Sequence, residues 1–308
     1  KNPQPPSPEW ERSGRPRLPT AVSPCRAAMG NAPGNSCECL CEDSLSLNRA
    51  GSSPSSAKDV LWPLALAKRS LTREARPVHV FEDKGTYTGE WDGEKRDGHG
   101  VQSWPDGATY DGQWKDDEAT GWGRFSHAEG DFYEGQWLAN QAHGSGTYTH
   151  KDGSRYVGSW RHDKQSGSGI EVWSNGTRYD GQYVAGQKHG YGSAVWSSGC
   201  TYEGEFCENQ LHGQGTYQWE DGRRYTGGWV YNQMHGRGVF QWPDGRRYEG
   251  EYADDKKHGH GLYTWPDGHS YIGQWMDGKQ HGTGSSCFGK GERRVGEWEG
   301  GTHVRWTS

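Results

Sequence analysis

Aromatic residues and glycines recur along this chain with a fixed period of 23 residues. A tyrosine occupies every twenty-third position from Tyr87 to Tyr271, with glycine two residues later and an aromatic residue four residues later. Polar residues such as Glu249 and Glu251 lie between them. Alternation with a period of two is typical of a β-strand whose side chains point to opposite faces. The first segment of each unit is therefore predicted to be a strand with one aromatic face.

The second segment of each unit is predicted to be the returning strand of a hairpin. It begins with a Gly-x-Gly pair, from Gly98 and Gly100 in the first unit onward, and continues to apolar residues and a tryptophan. An Asp-Gly pair such as Asp106-Gly107 then indicates the hairpin turn that leads to the next unit. Because glycine weakens a strand, we expect facing glycines to form a trench that aromatic rings cover.

These segments predict an all-β fold, namely an elongated single-layer antiparallel meander of about nine to ten 23-residue hairpin repeats. The last unit begins at Val295 and is degenerate. Two strands per unit, spaced ~4.8 Å apart, give a sheet roughly 85 Å long for nine units.

The repeated phrase Y-x-G-x-W-x6-G-x-G, which closes with W-x-D-G, resembles the MORN repeat. The resemblance covers Tyr87 to about Trp298. Similar repeats occur in radial-spoke head proteins of cilia, in junctophilins at membrane contacts, and beside the catalytic domains of plant phosphatidylinositol phosphate kinases and some histone-modifying methyltransferases. In the enzymes, catalysis belongs to the separate domain. Only ten residues follow Trp298, so we expect no such domain and no enzyme activity.

Composition agrees with a thin repeat array. Apolar residues make up 30% of the chain, the mean hydropathy is −1.12, and 49 glycines accompany 17 tryptophans and 16 tyrosines. Too few aliphatic residues remain for a thick core, so stability must be summed along neighbouring repeats. The net charge of −6 argues against a nucleic-acid partner, which would require a basic face.

No catalytic residue, metal site or cofactor is predicted. One slot of the repeat carries histidine in several units: His143, His189, His212, His235, His258 and His281. Successive histidines should lie roughly 9 to 10 Å apart, whereas zinc ligands must each come within ~2.1 Å of the metal. The Gly-x-Gly pairs lack the third glycine of a dinucleotide-binding fingerprint.

Residues 1–78 differ in composition and are predicted to be disordered, because they are rich in Pro, Ser, Gly and charge. We divide them into 1–28, upstream of a candidate start at Met29, and a flexible tail, 29–78; the array then covers 79–308. A start at Met29 would expose Gly30 for myristoylation, with cysteines for a second acyl chain at Cys37, Cys39 and Cys41. Gly34 stands where that signal has Ser or Thr, so a plain tail with reduced thiols remains the alternative.

The leading hypothesis is a non-catalytic scaffold whose aromatic-glycine face binds a protein partner or a second copy of the chain. A lipidated tail would add a membrane contact. The candidate binding residues are Tyr133, Trp137, Tyr156, Trp160, Tyr179, Tyr183, Tyr202, Tyr225 and Trp229. Two alternatives stay open: a truncated regulatory module of a larger enzyme such as a phosphatidylinositol phosphate kinase, and a structural component of a cilium. We expect a cytoplasmic location, at the inner face of a membrane or in a ciliary or cytoskeletal structure.

Overall fold

The computed structural model describes residues 72–288 and 291–308, which form one antiparallel sheet of 21 strands. Each strand pairs with the next strand along the chain, so the predicted all-β meander is confirmed. The described residues contain no helix. The strands are β1 (Arg73–Val80), β2 (Thr86–Asp92), β3 (Lys95–Ser103), β4 (Thr109–Lys115), β5 (Glu118–Ser126), β6 (Phe132–Leu138), β7 (Gln141–Thr149), β8 (Arg155–Arg161), β9 (Lys164–Val172), β10 (Arg178–Val184), β11 (Gln187–Val195), β12 (Thr201–Cys207), β13 (Gln210–Gln218), β14 (Arg224–Val230), β15 (Gln233–Gln241), β16 (Arg247–Ala253), β17 (Lys256–Thr264), β18 (Ser270–Met276), β19 (Lys279–Phe288), β20 (Glu292–Glu299) and β21 (Thr302–Trp306).

Strand β1 begins at Arg73, upstream of the expected array boundary at residue 79. It pairs with β2, and its arginines cover the first repeat. Arg73 binds the buried carboxylate of Asp97, and the Arg76 guanidinium lies 5.3 Å from the centre of the Trp91 ring. These contacts shield the start of the aromatic face. Residues 1–71, including the candidate lipidation signal, lie outside the described residues.

Two kinds of turn connect the strands. Within most units the turn has two residues, both with positive φ, such as Asp116 (50°) and Asp117 (71°), which is the geometry of a type I′ hairpin. Between units, the Gly107 N–H donates to the Trp104 carbonyl over 2.9 Å, and Gly107 has a φ of 90°. That three-residue loop is the hairpin predicted from Asp106-Gly107. The two-residue turns carry no shared glycine and were not predicted.

The two-residue turns form a ladder along one edge of the sheet. The Asn232 side-chain oxygen accepts a hydrogen bond from the Leu211 N–H over 2.8 Å, and the Asn232 N–H donates to the Leu211 carbonyl over 2.9 Å. Asn209 makes the same two bonds with Lys188. Where the second turn residue is Asn or Asp, the turn thus satisfies both backbone groups of one residue in the preceding unit, whereas Gly186 and Gly278 donate only to its carbonyl. These bonds join neighbouring units where the strands themselves do not pair.

Candidate functional site

An unbroken row of aromatic rings runs along one face of the sheet, and we call it the central row. Each tyrosine packs edge-to-face against the aromatic residue of its own unit and of the next unit. The ring centres lie 5.1 Å apart for Tyr87 and Trp91, 5.8 Å for Tyr202 and Trp229, and 4.9 Å for Tyr271 and Trp298. The row contains Trp91, Tyr87, Trp114, Tyr110, Trp137, Tyr133, Trp160, Tyr156, Tyr183, Tyr179, Phe206, Tyr202, Trp229, Tyr225, Tyr252, Tyr248, Trp275, Tyr271 and Trp298.

Facing glycines create the trench into which this row fits, as predicted. Gly204 and Gly215 are opposite each other on neighbouring strands. A Cβ added at Gly204 would come within 2.5 Å of the Gly215 Cα and 2.6 Å of the Tyr202 hydroxyl. Real Cβ atoms do not approach other heavy atoms so closely. The glycines are therefore required because the rings lie directly on the backbone.

Backbone carbonyls accept hydrogen bonds from the repeated tyrosines of the central row and from several of its tryptophans. The Tyr183 hydroxyl instead donates to the Glu171 carboxylate, and the buried Trp91 Nε1–H has no partner among the described residues. The Tyr202 hydroxyl donates to the Glu205 carbonyl over 2.9 Å, and the Trp229 Nε1–H donates to the Gly215 carbonyl over 3.2 Å. Burial raises the pKa of the tyrosine hydroxyls, to about 12 for Tyr87 and Tyr271. Rings that are packed on both sides and hydrogen-bonded to the backbone are held rigidly.

The predicted binding residues all belong to the central row. Their exposed fractions range from 0% at Tyr133 and Tyr225 to 5% at Trp229. A direct role in partner binding stays a prediction for them. Their burial means that they can support a partner surface from beneath but offer little surface of their own. The lipidation candidates Gly30, Cys37, Cys39 and Cys41 fall outside the described residues.

A second set of rings, the loop-side row, lies on the same face between the central row and the three-residue loops. Sequence reasoning did not single it out, because its residue types vary among units. It consists of Trp104, Phe125, His127, Tyr148, His150, Trp173, Trp196, Tyr217, Trp219, Phe240, Trp242, Tyr263 and Trp265. Most of its tryptophans are only partly buried.

The loop-side row is interrupted near its middle. Glu171 and Ala194 take the places that Tyr148 and Tyr217 occupy in other units. After the interruption, ring contacts are continuous through what we call the C-terminal stretch, which is Trp196, Tyr217, Trp219, Phe240, Trp242, Tyr263 and Trp265. Its rings are tilted by 33° to 54° instead of meeting edge to face.

Cationic side chains lie over the C-terminal stretch. The guanidinium carbons of Arg223 and Arg246 lie 5.3 Å and 5.4 Å from the ring centres of Trp219 and Trp242. The Lys257 ammonium is 4.7 Å from the ring centre of Tyr263. Cation–π contacts of this kind stabilise a positive charge beside apolar surface. The arrangement combines aromatic surface with positive charge and can recognise a side chain or peptide that offers the complement.

The opposite face of the sheet is different in character. Trp122 and Tyr191 are 57% and 56% exposed there, but each stands alone between the glycines of its unit. Acidic residues such as Asp111 and Glu134 alternate with neutral and basic ones. Within the described residues there is no group of three or more side chains suited to a metal ion, and no helix that could span a membrane.

Comparisons with solved structures find distant likenesses. The TCP domain of SAS-4 (dCPAP) from Drosophila melanogaster, determined in complex with a proline-rich motif of Ana2 (dSTIL), is 12% identical and covers 65% of this chain and 96% of its own, with a TM-score of 0.30. The wild-type TCP10 domain of Danio rerio CPAP is 11% identical and covers 75% of this chain and 99% of its own, with a TM-score of 0.25. These scores are too low to support an argument. Among curated proteins, none matches the chain.

The family model of the MORN repeat matches nine consecutive segments. They are residues 87–109, 110–132, 133–155, 156–178, 179–201, 202–223, 225–246, 248–270 and 271–293. The matches begin at the tyrosines that start each predicted unit, and together they cover most of the described residues. This chain belongs to the MORN-repeat family.

Proposed function

We propose that this protein is a non-catalytic scaffold that holds a protein partner along the C-terminal stretch of the loop-side row. MORN repeats are generally non-catalytic modules, and a repeat array suits a scaffold or binding role. The choice of this surface rests on the difference in burial between the two rows. The central row is covered by its own packing, whereas Trp219, Trp242 and Trp265 remain partly exposed.

The composition of the stretch also supports this surface. Tryptophan, tyrosine and arginine are enriched at the energetic centres of protein interfaces, and here Arg223 and Arg246 accompany Trp219 and Trp242. The tryptophans of the stretch are only partly buried, so an extended peptide can place its side chains against them. Phe240 and Tyr263 are buried between the tryptophans, so the surface that a partner can reach is formed by the partly exposed tryptophans.

The charges around the stretch favour a protein over an anionic membrane. Arg223 is paired with Asp221, and Arg246 with Asp244, each at 2.7 Å. Binding to bulk anionic lipid requires clustered basic residues whose charge is not already compensated. Because each of these arginines is neutralised by an aspartate of its own loop, the loops can add specificity without creating a strong positive potential.

A peptide-display selection tests the proposal with the full chain as bait. Peptides selected on the unaltered protein are measured again on a Trp219→Ser/Trp242→Ser variant and on Trp122→Ser, which removes a more exposed tryptophan from the opposite face. We expect the double variant to lose at least about tenfold in affinity and Trp122→Ser to match the unaltered protein. Thermal unfolding confirms that each variant is folded. Peptides that bind the double variant as tightly as the unaltered protein would refute the proposal.

A further inference from the structure

Lys257 is a partly buried cation inside a box of aromatic rings. Its ammonium lies 4.7 Å from the ring centres of both Tyr263 and Trp275, 5.5 Å from that of Tyr248 and 5.6 Å from that of Trp242. Two of these rings belong to the C-terminal stretch of the loop-side row and two to the central row. Lys257 is therefore placed where the two rows meet.

The same repeat position holds a cation in two other units, and there the chain supplies a carboxylate. In the first unit, the Arg96 guanidinium is 3.0 Å from the carboxylate of Asp117, which comes from the next two-residue turn. In the fifth, the Lys188 ammonium is 3.2 Å from the carboxylate of Glu171. Those two carboxylates reach the cation from different directions, one from the turn side and one from the loop side.

Around Lys257, neither of these two positions holds a carboxylate. Phe240 stands where Glu171 stands relative to Lys188, and Gly278 stands where Asp117 stands relative to Arg96. The acids of the two neighbouring two-residue turns have other partners. Asp255 accepts a hydrogen bond from the Met234 N–H, Asp254 lies 3.8 Å from the His235 ring nitrogen, and Asp277 pairs with Lys256. Among the described residues, no carboxylate lies within ion-pair distance of Lys257.

Open space adjoins this unpaired cation on the turn side. A Cβ added at Gly278 would meet no atom within 4 Å, although the Gly278 N–H still donates to the Lys257 carbonyl over 2.9 Å. The volume that the Asp117 side chain fills in the first unit is thus available here. Burial, with a smaller contribution from Arg246, lowers the pKa of Lys257 to about 8.

We infer that Lys257 binds a carboxylate of the partner, so that the scaffold recognises an acidic side chain flanked by apolar residues that lie on Trp242 and Trp265. This inference rests on the proposed function and adds the chemistry of the partner. A guest carboxylate would complete at Lys257 the pairing that Glu171 provides for Lys188. A buried charge left unpaired is costly, and a hydrogen-bonded counter-charge offsets that cost.

A single carboxylate fits the site better than a phosphate or a lipid surface. Arg223 and Arg246 already have their acidic partners, so Lys257 contributes one uncompensated positive charge. A phosphate group carries nearly two negative charges at neutral pH and is held by clusters of arginine. Anionic vesicles likewise need several free cations on one side.

Three variants test the inference in the full chain. Lys257→Met removes the charge and installs the residue that Met234 places at this position one unit earlier. Gly278→Asp supplies an internal carboxylate from the position of Asp117. Gly278→Asn is its uncharged control, because Asn209 and Asn232 occupy the same turn position in other units. NMR of the lysine side chain should show that Gly278→Asp raises the pKa of Lys257 and that Gly278→Asn does not.

The probes are two synthetic peptide libraries with randomised flanks that differ only in a central Glu or Gln. We expect the unaltered protein and Gly278→Asn to prefer the Glu library by about tenfold or more, and Lys257→Met and Gly278→Asp to lose that preference. Equal binding of both libraries by the unaltered protein, still dependent on Trp242, would overturn the inference and leave the proposed function standing. If neither library binds in a way that depends on Trp219 and Trp242, the proposed function fails. Tighter binding of phosphatidylglycerol vesicles or of a phosphoserine library, lost in Lys257→Met, would overturn the inference and replace the carboxylate with a phosphate ligand.

Discussion

The central and loop-side rows lie on the same face of one sheet but differ in regularity, geometry and burial. The central row repeats tyrosine without exception, meets edge to face and is hydrogen-bonded to the backbone. The loop-side row changes residue type from unit to unit, is broken at Glu171 and Ala194, and leaves tryptophans partly exposed. The difference indicates that uniform positions in a repeat protein maintain the array, whereas variable positions are free to acquire specificity.

High pH should act on the whole central row at once and have the largest effect. The folded state raises the pKa of its tyrosines above the ordinary value of 10, to about 12 for Tyr87 and Tyr271. Below pH 10 the hydroxyls are protonated in both states, and this contribution to stability is fully present. Between pH 10 and 12 the unfolded chain loses protons that the folded chain keeps, so stability falls, by up to about 1.4 kcal/mol per pH unit for each such tyrosine.

Cooperative alkaline unfolding, followed by circular dichroism together with tyrosinate absorbance, is the expected measurement. A Tyr202→Phe/Tyr225→Phe variant has two fewer of these hydroxyls, so its stability should fall less steeply with pH. Tyrosines that ionise near pH 10 in the folded array, without unfolding, would show that the central row is not buried in solution.

Truncating one ring in each row compares the rows directly. Trp229→Ala in the central row should destabilise the array by about 4 kcal/mol, because it removes a fully packed ring and opens a cavity. Trp242→Ala in the loop-side row should cost about 1 to 2 kcal/mol, since that ring is only partly buried. Urea unfolding measures both changes.

The loss of peptide binding should rank these two variants in the opposite order from the loss of stability, when binding is measured under conditions where both are folded. Trp242→Ala is expected to lose selected peptides, whereas the folded fraction of Trp229→Ala should bind nearly as well as the unaltered protein. Equal losses of stability in the two variants would remove the distinction between the rows.

Two glycine substitutions distinguish the destabilising effect of steric crowding from that of backbone strain. Gly215→Ala would push a methyl group into the Tyr202 ring, with its Cβ 2.5 Å from Cζ and 2.6 Å from Cε2, and should destabilise the array by about 3 kcal/mol. Gly153→Ala, in a loop with a φ of 88° and open space around it, should cost only about 1 kcal/mol from backbone strain. The difference between the thermal midpoints is the readout, and a smaller loss at Gly215 would contradict the trench.

The smallest expected effect is at the turns that join the units beside the central row. Asn232→Gly keeps the positive φ of 67° accessible but removes the acceptor for the Leu211 N–H, so a loss of about 1 kcal/mol is expected. Asn232→Asp keeps an acceptor, as Asp255 does one unit later, and should be nearly neutral. Hydrogen exchange at the Leu211 amide checks the mechanism: faster exchange in the glycine variant alone supports the ladder.

Much of the fold follows from the spacing of residues that are close in the chain. Tyr87, Gly89 and Trp91 alternate on one strand, and Asp106-Gly107 closes a local hairpin, so strand order and pairing could be predicted from the period alone. The two-residue turns were missed because residues as different as Ala139 and Tyr231 occupy their first position with positive φ. Only pairing between the flanking strands imposes that backbone conformation.

The sequence by itself determined which residues share a face, because side chains alternate along any strand. The tertiary structure decided how much of that face stays open, because the Tyr202 ring is buried only when Gly204 and Gly215 meet across neighbouring strands. The tertiary structure also decided that the Lys257 ammonium has no carboxylate partner. Its charge lacks a counter-ion because the two residues beside it, Phe240 and Gly278, carry no carboxylate. They belong to the preceding unit and to a later turn, so only the stacking of the repeats brings them to Lys257.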